Sequence, residues 1–140
     1  LLNASLADAL DLEAQTKQAH WNVKGPNFIA LHELFDKVHA SVEGHVDTIA
    51  ESIVALGGTA LGTVGVVAKT STLPAYPLNI TRGADHIEAL AGSLAAFGKS
   101  MRKAIDAADK LGDAGTSDLF TGVSRDVDLQ LWFLEAHLQA

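Results

Sequence analysis

The sequence predicts an all-α fold, a four-helix bundle with a long crossover between its second and third helices. Three observations carry this. Apolar residues recur at steps of three and four along separate long segments, the period of one buried helix face. Alanine and leucine are abundant while prolines number three in 140 residues, which favours helix over sheet. Turn-forming Gly, Thr and Pro residues concentrate between positions 59 and 81, where a long connection fits.

Each element follows from its own pattern. Segment 2–23 places Leu2, Leu6, Leu10, Leu12, Ala19 and Val23 as an amphipathic first helix, broken by Gly25-Pro26-Asn27. From Phe28 the series Leu31, Phe35, Val38, Val42, Ile49, Ile53 and Leu56 makes a long second helix, stopped by Gly57-Gly58. The connection that follows holds Gly62, Gly65, Pro74 and Pro77, with room for a short helix around Val64–Ala68. Ile87, Leu90, Leu94, Phe97, Met101, Ile105, Ala108 and Leu111 mark a third long helix. After Gly112–Gly115, Thr116 or Ser117 is the expected cap of a fourth, with a stripe at Leu119, Val123, Val127, Leu131, Leu134 and Leu138. Four long helices with one long crossover is the ferritin-like topology, distinct from a simple up-down bundle.

Composition narrows the function. The length suits one domain over residues 1–140, with 48% hydrophobic and 19% charged residues. Cysteine is absent, which excludes disulfides, thiolate metal sites and CxxC redox chemistry. No apolar run reaches bilayer length and no signal peptide opens the chain, so a cytoplasmic protein without membrane contact is expected. A formal charge of −7 argues against a phosphate-binding surface and suits a protein that attracts cations. The chain opens on Leu1, which leaves room for a natural tail ahead of it; a basic one would add nucleoid association.

The second helix carries more than a core stripe. With 100° per residue and Phe28 at zero, the apolar series centres near roughly 310°. His32, Asp36, Asp47 and Glu51 fall at roughly 40°, 80°, 100° and 140°, a second stripe about 140° away. These residues point out of the bundle, towards solvent or a partner. His32 and Asp36 are one turn apart, as are Asp47 and Glu51. About 16 Å of helix axis separates the pairs, whereas metal–ligand bonds are about 2 Å. Both pairs nevertheless centre on the same point, between Ser41 and Val42. A second copy laid antiparallel across a dyad there brings Asp36 opposite the other copy's Asp47, and His32 opposite its Glu51. Ala40, Ser41 and Gly44 are small enough for close approach. Two equivalent sites result, each built from both chains.

His20 completes the set, lying six residues before Pro26 as His32 lies six after. In an antiparallel hairpin those positions share one height. Each site then receives His20, His32 and Asp36 from one chain and Asp47 and Glu51 from the other. Two imidazoles and three carboxylates without sulfur suit iron or manganese, with positions open for an oxidant, although zinc fits the same donors.

These residues carry a resemblance. Lys17-Gln18-Ala19-His20-Trp21-Asn22, Leu31-His32-Glu33-Leu34-Phe35-Asp36 and His45-Val46-Asp47-Thr48-Ile49-Ala50-Glu51 resemble the signature of the Dps mini-ferritins. The likeness continues through Leu56-Gly57-Gly58, Tyr76-Pro77, Arg102-Lys103-Ala104-Ile105, Ser124-Arg125-Asp126 and Leu131-Trp132-Phe133, nearly the whole chain. It implies that His20, His32, Asp36, Asp47 and Glu51 hold ferroxidase irons across a dimer interface. It also implies a hollow dodecamer that oxidises Fe²⁺, mainly with hydrogen peroxide and otherwise with dioxygen, and stores ferric mineral. Asp109, Asp113 and Asp118 resemble the acidic lining of that family's threefold iron pores. The family usually has Arg after the final glutamate, where this chain has Ser52; the departure bears on a salt bridge from that position and not on the metal shell.

Other residues and rival functions carry less. Trp21 adjoins His20, placed to intercept stray oxidising equivalents or to pack at an interface, and Lys17 reads as an ion-pair partner rather than a catalyst. His39, His45, His86 and His137 read as structural or surface residues. His32-Glu33-Leu34-Phe35-Asp36 is one residue short of the HExxH zinc-protease motif. A di-iron site inside each bundle needs Glu-x-x-His pairs, and the sequence has none. Phosphate loops are absent. The alternative from another class is DNA compaction through a lysine-rich tail, which these 140 residues do not contain.

Overall fold

The computed structural model describes residues 1–139, in which helices α1 (Leu2–Asn22), α2 (Phe28–Ala55), α3 (Val64–Thr70), α4 (Gly83–Lys110) and α5 (Ala114–Glu135) are followed by a 3₁₀ turn at Ala136–Leu138. The molecule is two helical hairpins packed face to face: α1 against α2 and α4 against α5, with α1 also meeting α4 and α2 meeting α5. Gly25 and Gly112 make the two hairpin turns at φ 123° and 74°, backbone that L side chains rarely adopt.

The apolar stripes form the core between the hairpins. Leu31, Phe35, Val38, Val42, Ile49 and Ile53 of α2 are buried, against Ile87, Leu90, Leu94, Phe97, Met101 and Ala108 of α4 and Val123, Val127 and Leu134 of α5. Phe28, Leu56, Leu111 and Leu138, which close the sequence stripes, are exposed. Phe120 is fully buried while its neighbour Leu119 packs at the margin.

The first helix differs from a simple amphipathic one because its second face docks the crossover. Buried Asp8 accepts from the Thr72 backbone N–H at 2.7 Å and from its hydroxyl. The Ser71 hydroxyl donates to Asp11, and the Gln15 amide donates to the Pro74 carbonyl at 3.0 Å. Further along, the Tyr76 hydroxyl donates to Nδ1 of His86 at 2.6 Å while His86 Nε2–H donates to the Ile80 carbonyl. Buried His86 is thus a structural pin, and burial lowers its pKa from the usual histidine value. Lys24 N–H donates to Thr81 O at 2.8 Å, tying the crossover's end to the first turn. A Cβ on Gly83 would lie 2.5 Å from Leu31 Cδ1, so a larger residue at the start of α4 would have to push the end of that leucine aside.

Helix α4 begins at Gly83, a full turn before Ile87 opens its apolar stripe, and Asp85 in its first turn pairs with Arg82. One boundary departs from the sequence reading. The cap of α5 is Asp113, and neither Thr116 nor Ser117 serves. The Asp113 carboxylate takes both the backbone N–H and the hydroxyl of Thr116, at 3.0 and 2.6 Å, which satisfies an otherwise unpaired donor of the first turn. Among the described residues, no helix is long and apolar enough to cross a membrane.

Candidate metal centre

The α1–α2 hairpin sets His20 in the last turn of one helix beside His32 in the second turn of the next. Their rings stack, with centroids 3.7 Å apart and planes 15° from parallel. Each ring is held by the other residue's backbone: His20 Nδ1 lies 2.5 Å from the His32 carbonyl, and His32 Nδ1 lies 2.7 Å from the His20 carbonyl. A carbonyl oxygen accepts and never donates, so both Nδ1 atoms carry the proton. In the neutral rings both Nε2 lone pairs are then presented for ligation, the tautomer that backbone acceptors enforce on metal-binding histidines.

Asp36 stands one turn beyond His32, its side chain 48% exposed. Lys17 donates to its Oδ1 at 2.5 Å. That hydrogen bond, reinforced by the lysine's charge, holds the Asp36 carboxyl below the usual aspartate range. Lys17 is therefore an ion-pair partner, as its position implied. His20, His32, Glu33, Asp36, Lys37 and Ala40 line an open depression of about 500 Å³.

Asp47 and Glu51 are exposed further along α2, on the side opposite its buried stripe. Within one chain they do not join the first three, as the eleven-residue offset between Asp36 and Asp47 requires. Instead, among the described residues, Glu13, His39 and Glu43 gather with ligand atoms within 4.8 Å of one another. His39 Nε2 is 3.2 Å from Glu43 and 3.8 Å from Glu13. Burial raises the pKa of Glu13, with Glu43 and Asp47 adding to the rise and His39 opposing it. Sequence reasoning passed over this trio, reading His39 as structural or surface. Two signals could have found it. On the same helical wheel His39 and Glu43 fall at roughly 20° and 60°, inside the outward stripe. Glu13 and His39 also stand thirteen residues either side of Pro26, the mirror relation that pairs His20 with His32.

The remaining candidates have plainer surroundings. Trp21 is 67% exposed. His45 Nε2 lies 2.6 Å from Asp126 of α5, tied into the inter-hairpin contact. His137 Nδ1 donates to the Phe133 carbonyl. Asp113 is engaged as the α5 cap, while Asp109 and Asp118 are exposed near it.

Comparison with known proteins assigns the frame. The ferritin-like domain family matches residues 1–140. The DNA protection during starvation protein of Agrobacterium fabrum is 52% identical over 139 residues, covering 99% of this chain and 86% of the relative. This chain belongs to the Dps family of mini-ferritins. Solved Dps structures agree with it throughout. Dps from Microbacterium arborescens, in its high iron form, superposes with a TM-score of 0.92 at 38% identity, covering 98% of this chain and 89% of that one. Dps from Thermosynechococcus elongatus gives 0.94 at 26% identity, covering 99% and 88%. The ferritin-like Dps family binds iron, and the nitrogen and oxygen donors that His20, His32 and Asp36 offer, without sulfur, fit that metal by their chemistry.

Proposed function

We propose that this Dps-family chain oxidises Fe²⁺ with hydrogen peroxide at a di-iron site completed by a second copy of itself, and stores the product as ferric mineral within a homododecamer. The observation that carries this is the half-built site on the α1–α2 hairpin. Two histidines are locked with Nε2 free, beside one carboxylate, on an open surface. The missing carboxylates, Asp47 and Glu51, lie on α2 about a common centre with His32 and Asp36. A two-fold axis at that centre would supply them from the partner.

Each residue then has a task. His20 and His32 fix the geometry through Nε2, because the backbone carbonyls prevent the rings from turning. Asp36, Asp47 and Glu51 offset the positive charge of two ferrous substrates. Lys17 holds Asp36 ionised in the metal-free protein and is displaced from it by the stronger cation. Two Fe²⁺ give one electron each to peroxide, whose O–O bond breaks with uptake of two protons to leave two waters. No one-electron cleavage occurs, so no hydroxyl radical escapes. The Fe³⁺ product hydrolyses and collects on acidic surface; exposed Asp109 and Asp118, near the Asp113 cap, would mark where Fe²⁺ enters the shell.

Anaerobic loading with Fe²⁺ followed by separate additions of peroxide and dioxygen tests the reading. Peroxide should consume about two Fe²⁺ per molecule and protect plasmid DNA from nicking in the same mixture. A ratio near one, with hydroxyl radical trapped in quantity, would refute paired-electron chemistry.

A further inference from the structure

We propose that Glu13, His39 and Glu43 form a second, wholly intrachain binding site for a divalent first-row transition ion, independent of the site shared across the dyad. The case begins with the histidine. His39 Nδ1 lies 3.1 Å from the Thr16 hydroxyl and 3.2 Å from the Glu13 carbonyl. The Thr16 hydroxyl spends its own proton on that same carbonyl, at 2.6 Å. Both neighbours therefore accept from the ring, and Nδ1 carries the proton. The Nε2 lone pair of the neutral ring is left facing two carboxylates, at 3.2 and 3.8 Å.

The anchoring is that of His20 and His32, an imidazole held through Nδ1 by backbone, and here the other nitrogen also faces two carboxylates. Two carboxylates and one imidazole, without sulfur, select iron, manganese or zinc over soft cations. Three protein donors leave at least one position for water. Burial favours an ion as well, since the His39 and Glu13 side chains are 14% and 23% exposed while Glu43, at 61%, remains an open gate. A groove of about 420 Å³ lined in part by Glu13, Lys17, Trp21 and His39 gives access from outside.

Placement gives the site a use. His39 follows His32 by two turns, about 10 Å along α2, and Glu43 precedes Asp47 by one turn. The ion would sit between the two half-sites that one chain contributes to its dimer. Under the proposed dyad the residues facing His39 and Glu43 are the partner's Gly44 and the partner's Ala40, both small, so the interface leaves room. The chemistry points to a holding site for Fe²⁺ beside the oxidation centres.

The test uses the full chain and Co²⁺ as an oxidation-resistant probe. Crystals grown anaerobically with Co²⁺ should show anomalous density within about 2.3 Å of His39 Nε2 and of one oxygen on each glutamate. In solution, a His32→Ala, Asp36→Asn variant, stripped of the shared site, should still bind one Co²⁺ per chain. Adding Glu43→Gln, an exposed and near-isosteric change, should weaken that residual ion on the order of tenfold or more. No anomalous density at the trio in crystals, or residual binding indifferent to Glu43→Gln, would overturn the proposal. Density at His20, His32 and Asp36 reports separately on the shared site, so the two readings fail independently.

Discussion

Mixing two inactive variants measures whether the oxidation site is shared. Asp36→Ala and Glu51→Ala each remove one ligand from every site in a pure preparation, and each should lose nearly all ferroxidase rate. Neither residue is in the core, Asp36 being half exposed and Glu51 exposed, so the fold should be nearly indifferent, within about 0.5 kcal/mol. In a mixed dimer the two sites become unequal. One takes the altered residue from both chains and loses two ligands. The other draws His20, His32 and Asp36 from the Glu51→Ala chain, and Asp47 and Glu51 from the Asp36→Ala chain. That site is intact. Random association makes about half the dimers mixed, each with one of two sites restored, so co-refolding equal amounts should return about a quarter of the wild-type initial rate. Peroxide-driven Fe³⁺ formation, followed by absorbance across mixing ratios, gives a curve peaking at equal composition. A flat line at the inactive level would refute the argument, because an intrachain site is short of a ligand in every molecule whatever its partner.

Other expectations follow from single contacts. His86 is buried neutral, so its folded pKa lies below its unfolded value: its contribution to stability is complete above about pH 6.5 and is lost as pH falls below that. Thermal melts from pH 7 to 5 should therefore fall, and His86→Asn should be about 1–3 kcal/mol less stable at pH 7 with a flatter profile. Asp113, lowered by its Thr116 hydrogen bonds, contributes above the usual aspartate range and ceases to do so as pH drops through its depressed value; Asp113→Ala should lower Tm at neutral pH, and by less in acid. Phe35→Ala, at a fully buried position, should cost about 3–5 kcal/mol by chemical denaturation. The 140-residue chain, at −7, should leave duplex DNA unretarded at physiological salt, and a magnesium-independent gel shift would contradict this.

How far the sequence revealed these features depended on what each residue had to satisfy. The α2 stripe was legible because one face of a long helix packs on a single core, and Leu31 to Ile53 are buried as spaced. The α1 stripe was harder: Asp8, Gln15 and Thr16 are buried beside Leu12, since Asp8 and Gln15 hydrogen-bond the crossover and Thr16 bonds the Glu13 carbonyl and His39, and hydropathy does not register such burial. Asp113 was hidden by Thr116, which looks like a cap and instead donates to one. Phe120 lost its place to Leu119 because both fit the period within one residue. The His20–His32 pair was legible by its symmetry about Pro26; the carbonyl bonds that fix both rings were not, because they depend on how closely two backbones approach.

The electrostatics of the outward face explain why such a site would be divided between chains. Along α2 the ligand types run His32, Asp36, His39, Glu43, Asp47 and Glu51, with Glu13 and His20 supplied by α1. Concentrating all five carboxylates around one chain's histidines would raise their mutual repulsion in the metal-free protein, as Glu43 and Asp47 already do to Glu13. Spacing them over four turns of helix keeps the monomer tolerable with Lys17 as a local counterion on Asp36. In the proposed dimer a second copy would bring Asp47 and Glu51 against His20, His32 and Asp36, and the added negative charge would be offset when Fe²⁺ arrives. Metal binding and dimer contact are consequently linked: an ion that bridges both chains stabilises the pair in proportion to its affinity for the assembled site over the separated halves. At low salt the metal-free dimer should dissociate more readily than the Fe²⁺-loaded one under anaerobic conditions. Sedimentation at falling concentration reads this directly, and equal dissociation with and without Fe²⁺ would remove the basis for a bridging ion.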